Sequence, residues 1–274
     1  MPSQASALGY DDLFLGPSVG VPAPPADDVV LPYFHFTVVF APEHRLARYT
    51  VVNIDGTHPA NIGPREDDQW SYDDRVKPEQ QVGDGFYHRN PWGFDRGHLV
   101  RRLDPVWGDT DDGERAALET FHFTNCAPQH SAFNRGKQIW QGLERYILEQ
   151  GADAHRLRAT VFSGPIFDSG NPVRGDLPIP VEFWKVVVIV RENGRLHATA
   201  YVLSQADRVP ALVEGEEEFV FGEYRTYQRA VSEVAERTGL DFSQLTPFDP
   251  YPHKRPSLVE EPQRELTDLS EIVL

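Results

Sequence analysis

Two apolar runs joined by one turn constrain the fold of this chain more than any other feature. Residues 180–190 hold Phe183, Trp184, Val186, Val187, Val188, Ile189 and Val190. Such β-branched and aromatic enrichment predicts a strand. Glu192-Asn193-Gly194-Arg195 follows. Asn-Gly is a hairpin signal because both residues accept the positive φ that a tight turn demands. Residues 195–203 then return as a second strand. Residues 157–163 supply another, so the later part of the chain builds a sheet.

The first half repeats the pattern. Residues 34–40 predict a strand, Pro42-Glu43-His44-Arg45 a turn, and 46–54 a returning strand. Residues 55–82 are polar and broken by Gly and Pro, which reads as a long surface loop. Around 93–100, Gly93 and Gly97 flank apolar residues and suggest a tight hairpin or bulge. Residues 114–120 read as a short helix and 121–124 as a short strand. Between 133 and 149, Ile139, Leu143, Tyr146 and Ile147 recur at helical spacing. Residues 227–237 predict a second helix that ends at Gly239. There are no internal repeats. The expected organisation is a flexible Pro- and Ala-rich leader over 1–30, one folded domain over 31–246, and an acidic, Pro-rich tail over 247–274. The expected fold class is α+β, a central antiparallel sheet with flanking helices.

Composition excludes several classes. The single cysteine, Cys126, rules out an internal disulfide framework and a multi-cysteine zinc site. No stretch has the roughly 18 apolar residues of a membrane span, and residues 1–20 carry no secretory signal pattern. The expectation is a chain with no membrane partner, cytoplasmic or exported by a specialised route. A net charge of −16 argues against a protein that coats nucleic acid. The basic residues Arg89, Arg96, Arg101, Arg102, Arg135 and Lys137 nevertheless fall around the central motifs, so a local positive cleft on an acidic body is an equal alternative.

The residues that carry chemistry concentrate at Phe94-Asp95-Arg96-Gly97-His98, Thr124-Asn125-Cys126-Ala127-Pro128-Gln129, Asn134 and Leu143-Glu144. Hydrolysis of a phosphodiester needs a base for the attacking water, a cation for the phosphate charge and a stabiliser for the leaving 3′ oxygen. His98 is a candidate base, since a neutral imidazole is available near pH 7. Asn134 and Glu144 carry hard oxygens suited to magnesium. Asp95 could hold the local turn or orient a partner, and Arg65 and Arg96 could bind phosphate. Each also has an ordinary reading: a hydrogen-bonded structural histidine, an N-cap asparagine, a solvated helix glutamate, surface arginines.

In combination these motifs resemble the DNA/RNA non-specific endonucleases, the ββα-metal (His-Me finger) nucleases. The resemblance covers roughly residues 33–245. It includes Thr50-Val51-Val52-Asn53-Ile54-Asp55-Gly56, Ser163-Gly164-Pro165-Ile166-Phe167 and Pro180-Val181-Glu182-Phe183-Trp184-Lys185-Val186. It implies a ββα-metal element and sugar-non-specific hydrolysis of DNA and RNA through backbone contacts, without strong sequence preference. It also implies roles. His98 would be the general base. Asn134 would be the direct ligand of one hydrated Mg2+, with Mn2+ as a substitute, and Glu144 would hold a metal-bound water. Arg65 would stabilise the transition state, and Arg96 would bind phosphate or support the site. Asn125 and Gln129 would support the site or the substrate backbone. The spacing from Asn134 to Glu144 is about two residues longer than the family pattern. Either Gly136-Lys137-Gln138 forms a wider turn before the helix, or Glu144 is not the water-holding residue; the preserved spacing of Trp140 and Leu143-Glu144 favours the first. Two alternatives accompany this reading. One is a catalytically silent nucleic-acid-binding protein of the same fold. The other is a nuclease toxin or effector held by a protein inhibitor.

Overall fold

The structure is a computed structural model, and it describes residues 8–63, 69–88, 90–134, 158–191, 193–206 and 225–251. Its centre is a sheet of seven strands: β1 (Val29–Tyr33), β2 (Phe36–Ala41), β3 (Leu46–Asp55), β6 (Arg158–Pro165), β9 (Glu182–Val190), β10 (Leu196–Ser204) and β11 (Arg225–Arg229). They lie in that order, each antiparallel to its neighbour. The excursion between β3 and β6 holds α1 (Asp84–Tyr87), β4 (Phe94–His98), α2 (Thr110–Glu119), β5 (Cys126–His130) and α3 (Ser131–Asn134). A minor ribbon, β7 (Val173–Arg174) with β8 (Leu177–Pro178), precedes β9. The last helix is α4 (Val231–Thr238). The described part is thus a sheet-dominated α+β fold.

The central hairpin forms where the sequence predicts it, with Gly194 but not Asn193 at positive φ. Val190 pairs with Leu196 and Glu182 with Ser204, and Gly194 turns at a φ of 75°. Strand alternation sends Phe183, Lys185 and Val187 to one face and Trp184, Val186 and Val188 to the other. The excursion covers the first face: Leu99, Val100, Phe123, Cys126 and Ala127 pack there with Phe36, Val52 and Phe183. The second face is covered by Leu15 and Val19 from before β1 and by Val231, Val234, Leu240 and Phe242 from after β11.

Several expectations change. The described part of the 1–30 leader packs rather than trails. Leu15 and Val19 are buried, Asp11 N–H donates to Asn53 Oδ1 at 2.9 Å, and Gln244 binds both polar groups of the Gly20 backbone. Residues 29–33 form an edge strand, and the run expected as one strand at 34–40 begins with a turn. His35 takes a φ of 67° there, and β2 starts at Phe36. Residues 121–124 are not a strand: Phe123–Asn125 is a 3-10 turn and β5 begins at Cys126. The helix expected over 227–237 divides into β11 and α4. Ala230 is extended between them, and the buried Asp249 carboxylate accepts the Val231 N–H at 2.6 Å, capping the helix from the expected tail. Gly239 closes α4 at a φ of 70°. Of the helix expected over 133–149, residues 135–149 lie outside the described residues, and α3 is described over Ser131–Asn134. No helix among the described residues is long and apolar enough to cross a membrane.

The loop over 55–82 is more ordered than its polarity suggests. Asp73 is buried and bonded to Arg75 at 2.7 Å and to the Tyr33 hydroxyl. The same hydroxyl meets Thr124 Oγ1 at 2.6 Å, just before β5. Gln81 spans the loop, accepting from Asp73 N–H and donating to the carbonyls of Asp73 and Val76. Burial alone would push the Asp73 carboxyl up. The Arg75 guanidinium and the Tyr33 hydroxyl outweigh it and hold the group at about 2.

Candidate active site

β4 and β5 form a two-stranded antiparallel ribbon, with Asp95 opposite Gln129, Arg96 opposite Pro128, Gly97 opposite Ala127 and His98 opposite Cys126. Pro128 lacks a donor but interrupts no larger sheet, because among the described residues β5 pairs with β4 alone. Its carbonyl accepts from Gln205 Nε2 at 3.1 Å, and His130 N–H donates to Gln205 Oε1 at 2.8 Å. A single buried glutamine from the end of β10 therefore fastens the ribbon to the sheet.

Alternation along β4 separates the candidate residues. Asp95 and Gly97 share one side with Gln129, and Arg96 and His98 share the other. On the first side, Asn134 Nδ2 donates to Asp95 Oδ2 at 3.2 Å. A carboxylate can only accept, so this bond fixes the amide with its carbonyl oxygen turned elsewhere. Asn134 lies within the first turn of α3 and is not its N-cap. Gln129 is fully buried, and neither of its amide atoms has a hydrogen-bond partner among the described residues. Its side chain occupies the space over Gly97, where an added Cβ would lie 2.2 Å from the Gln129 amide carbon. A side chain at 97 would therefore displace Gln129.

On the second side, His98 is half-buried among rings. The Trp70 ring centroid is 4.5 Å away at 47°, and that of Phe121 is 4.9 Å away, edge-on at 83°. Arg96 donates to Asp84 Oδ1, and its guanidinium lies 5.9 Å from the Trp70 centroid and 6.0 Å from that of Tyr87. Arg96 is therefore held by an acid and two aromatic faces. Cys126, opposite His98, is no nucleophile, because burial pushes its thiol up to about 12.

The strand beyond His98 is stapled in place by Asn125. Its Oδ1 accepts the Val100 N–H at 3.0 Å, its Nδ2 donates to the carbonyls of Val100 and Thr120, and its own carbonyl accepts the Leu99 N–H. That is every hydrogen bond a buried asparagine side chain needs, and it explains why the chain turns before β5. A few residues further on, the buried Asp104 accepts the Arg101 N–H at 3.0 Å. Burial pushes the Asp104 carboxyl up, against the pull of the neighbouring Arg101 and Lys185 charges. Lys185 itself is buried on β9 beneath the excursion.

Of the sequence-predicted residues, the structure brings Asp95 to Asn134, lays Gln129 across the same side, puts Arg96 and His98 around Trp70, and sets Asn125 behind them. Arg65 and Glu144 lie outside the described residues, as do Arg89, Arg135 and Lys137 of the expected basic cluster. Sequence reasoning did not single out Trp70, Asp104 or Lys185. Trp70 carries a faint signal, as an aromatic residue in an otherwise polar loop. Among the described residues no three of His, Cys, Asp and Glu stand close enough to hold a metal ion. A cation here would depend on Asn134 and on residues beyond the described set.

The fold is that of a known nuclease class. A chain of the EndoG/EndoGI complex, a structure solved for the mechanism of EndoG inhibition, superimposes with a TM-score of 0.58 at 20% identity, over 81% of this chain and 88% of that one. The sequence model of the DNA/RNA non-specific endonucleases matches residues 17–249, and the chain belongs to that family. An uncharacterised protein of Sinorhizobium fredii is 42% identical over 229 residues, covering 80% of this chain and 34% of its own. A nuclease of a Nostoc species is 27% identical over 174 residues, covering 62% and 59%. The mitochondrial nuclease EXOG of Danio rerio is 23% identical over 186 residues, covering 64% and 52%. The chain thus spans between about a third and three fifths of the length of these curated relatives.

Proposed function

We propose that this chain is a metal-dependent endonuclease that hydrolyses DNA and RNA phosphodiester bonds, with the β4–β5 ribbon and α3 as its ββα-metal element. The observation that carries the reading is the Asp95–Asn134 hydrogen bond on the ribbon that also bears His98.

The donor set fits a hydrated magnesium ion. With its amide nitrogen held by Asp95, Asn134 would offer its carbonyl oxygen, a hard ligand. The buried and unsatisfied Gln129 amide on the same side would be completed by ordered water around such an ion. Glu144 would hold one of those waters. When bound, the ion would offset charge growing on the phosphate and on the leaving 3′ oxygen. Mn2+ would substitute. His98 takes the proton of the attacking water. Arg96 stays in place through Asp84 and presents positive charge near the base. Arg65 is assigned to the phosphate. Recognition through sugar and phosphate explains action on both nucleic acids. A dedicated protein inhibitor belongs to the same reading, prompted by the inhibited EndoG complex that shares the fold.

The test is plasmid and RNA degradation by purified full chain with Mg2+. Activity should vanish with EDTA, and His98→Ala should lose at least ~100-fold. Equal rates in the two proteins would overturn the assignment of His98. Metal-independent binding of nucleic acid with no cleavage would replace the whole reading with that of a silent binding protein.

A further inference from the structure

His98, Trp70 and Phe121 form a closed triangle of rings. Trp70 meets His98 at 4.5 Å and 47°, and Phe121 edge-on at 5.3 Å and 79°. Phe121 in turn meets His98 edge-on at 4.9 Å and 83°. Trp70 is half-buried within the polar loop, and Phe123 backs it at 6.0 Å. The imidazole is therefore bounded on two sides by flat, rigid groups whose own orientation is set by each other. The Trp70 ring also lies 5.9 Å from the Arg96 guanidinium, within the range of a cation–π contact. One indole thus touches both chemistry-bearing residues on this side of the ribbon.

We propose that Trp70 is a positioning residue of the nuclease site, holding the His98 imidazole and the Arg96 guanidinium in register with each other. The inference rests on the reading of His98 as general base. The physical reason is geometric. A base works only when its nitrogen stands within hydrogen-bond reach of the attacking water, and a misplacement of about 1 Å can cost on the order of 100-fold in rate. An imidazole turns readily about its side-chain torsions, whereas a ring wedged between two others does not. A plain packing role for Trp70 would predict something different: lower stability, with unchanged turnover by the protein that stays folded.

Steady-state kinetics of the full chain on plasmid DNA with Mg2+ separate the two. Trp70→Leu keeps the apolar bulk without the flat ring, and Trp70→Ala removes both. Each should lower kcat by roughly 10- to 100-fold with KM changed by less than about threefold. Trp70→Phe should return kcat to within about threefold of the parent. In the His98→Ala background, where there is no imidazole to position, Trp70→Leu should cause a markedly smaller loss, the part that Arg96 carries. Should Trp70→Ala not fold, the Leu variant carries the test. Full kcat in Trp70→Leu overturns the proposal, as does an equal loss with and without His98, or a loss confined to KM. Full activity in His98→Ala alone would instead remove the reading on which the proposal rests. An inactive His98→Ala beside a fully active Trp70→Leu removes the positioning role and leaves the base in place.

Discussion

On one face of the central sheet, Phe242 meets Phe162 and Trp184 edge to face at 5.5 and 5.6 Å, and Val186, Val188, Val231 and Val234 fill the remainder. On the other face, Phe36, Val52 and Phe183 form a similar apolar floor, but Lys185, Asp104, Asn125, Gln129 and Asp73 are buried with it. The first face is closed by segments from the two ends of the described chain. The second is closed by the excursion that carries the candidate site. Burying amides and charges costs free energy unless each is paired. The site face accepts that cost because its polar groups hold loops to the sheet: Asn125 fixes 99–100, Gln205 fixes the ribbon, and Asp73 fixes the loop that carries Trp70. Gln129 differs, because neither of its buried amide atoms has a hydrogen-bond partner among the described residues.

Mutations on the two faces should therefore separate stability from catalysis. The largest expected effect is on the apolar face. Trp184→Ala should cost about 3–5 kcal/mol of stability, read as a lower urea midpoint. Turnover by the folded fraction should be unchanged; a fall in kcat without loss of stability would break the distinction between the faces. On the site face, Gln129→Leu should reverse the pattern. Replacing an unpaired buried amide with an apolar side chain of similar shape should leave stability unchanged or raise it by about 1 kcal/mol. Activity should fall by on the order of tenfold if the amide serves water around the cation. A Leu variant that is markedly less stable and fully active would show that Gln129 is an ordinary core residue.

The smallest effect concerns acid. Asp73 sits at about 2 in the folded protein, below its unfolded value of about 3.9. Its contribution is therefore present above pH ~4 and is lost as pH falls toward about 2. Asp73→Asn should be less stable at neutral pH, and its urea midpoint should fall less steeply than the parent's across that acid window. Parallel slopes would mean that the Tyr33–Asp73–Arg75 cluster does not set the acid response of this face.

Much of the fold was legible because it is local. The Asn193-Gly194 hairpin, the strands on either side of it and the glycine at the end of α4 follow from residues adjacent in sequence. The turn at His35 was hidden because Phe34 and Phe36 continue the apolar pattern through it. The break between β11 and α4 was hidden because it depends on a carboxylate at position 249. Of the candidate site, Asp95, Asn125, Gln129, Asn134 and His98 stand out in the sequence because their residue types recur in a known motif. What each one touches does not stand out.

By itself, the sequence determined the strand hairpins, the family motif and the residues able to carry acid–base and metal chemistry, since periodicity and residue type are properties of short segments. Only the tertiary structure decided which side of the ribbon each of those residues occupies. It also placed Trp70 against His98, laid Gln129 over Gly97 and put Lys185 near Asp104. These are contacts between segments far apart in the chain, and they are set by how the excursion packs on the sheet.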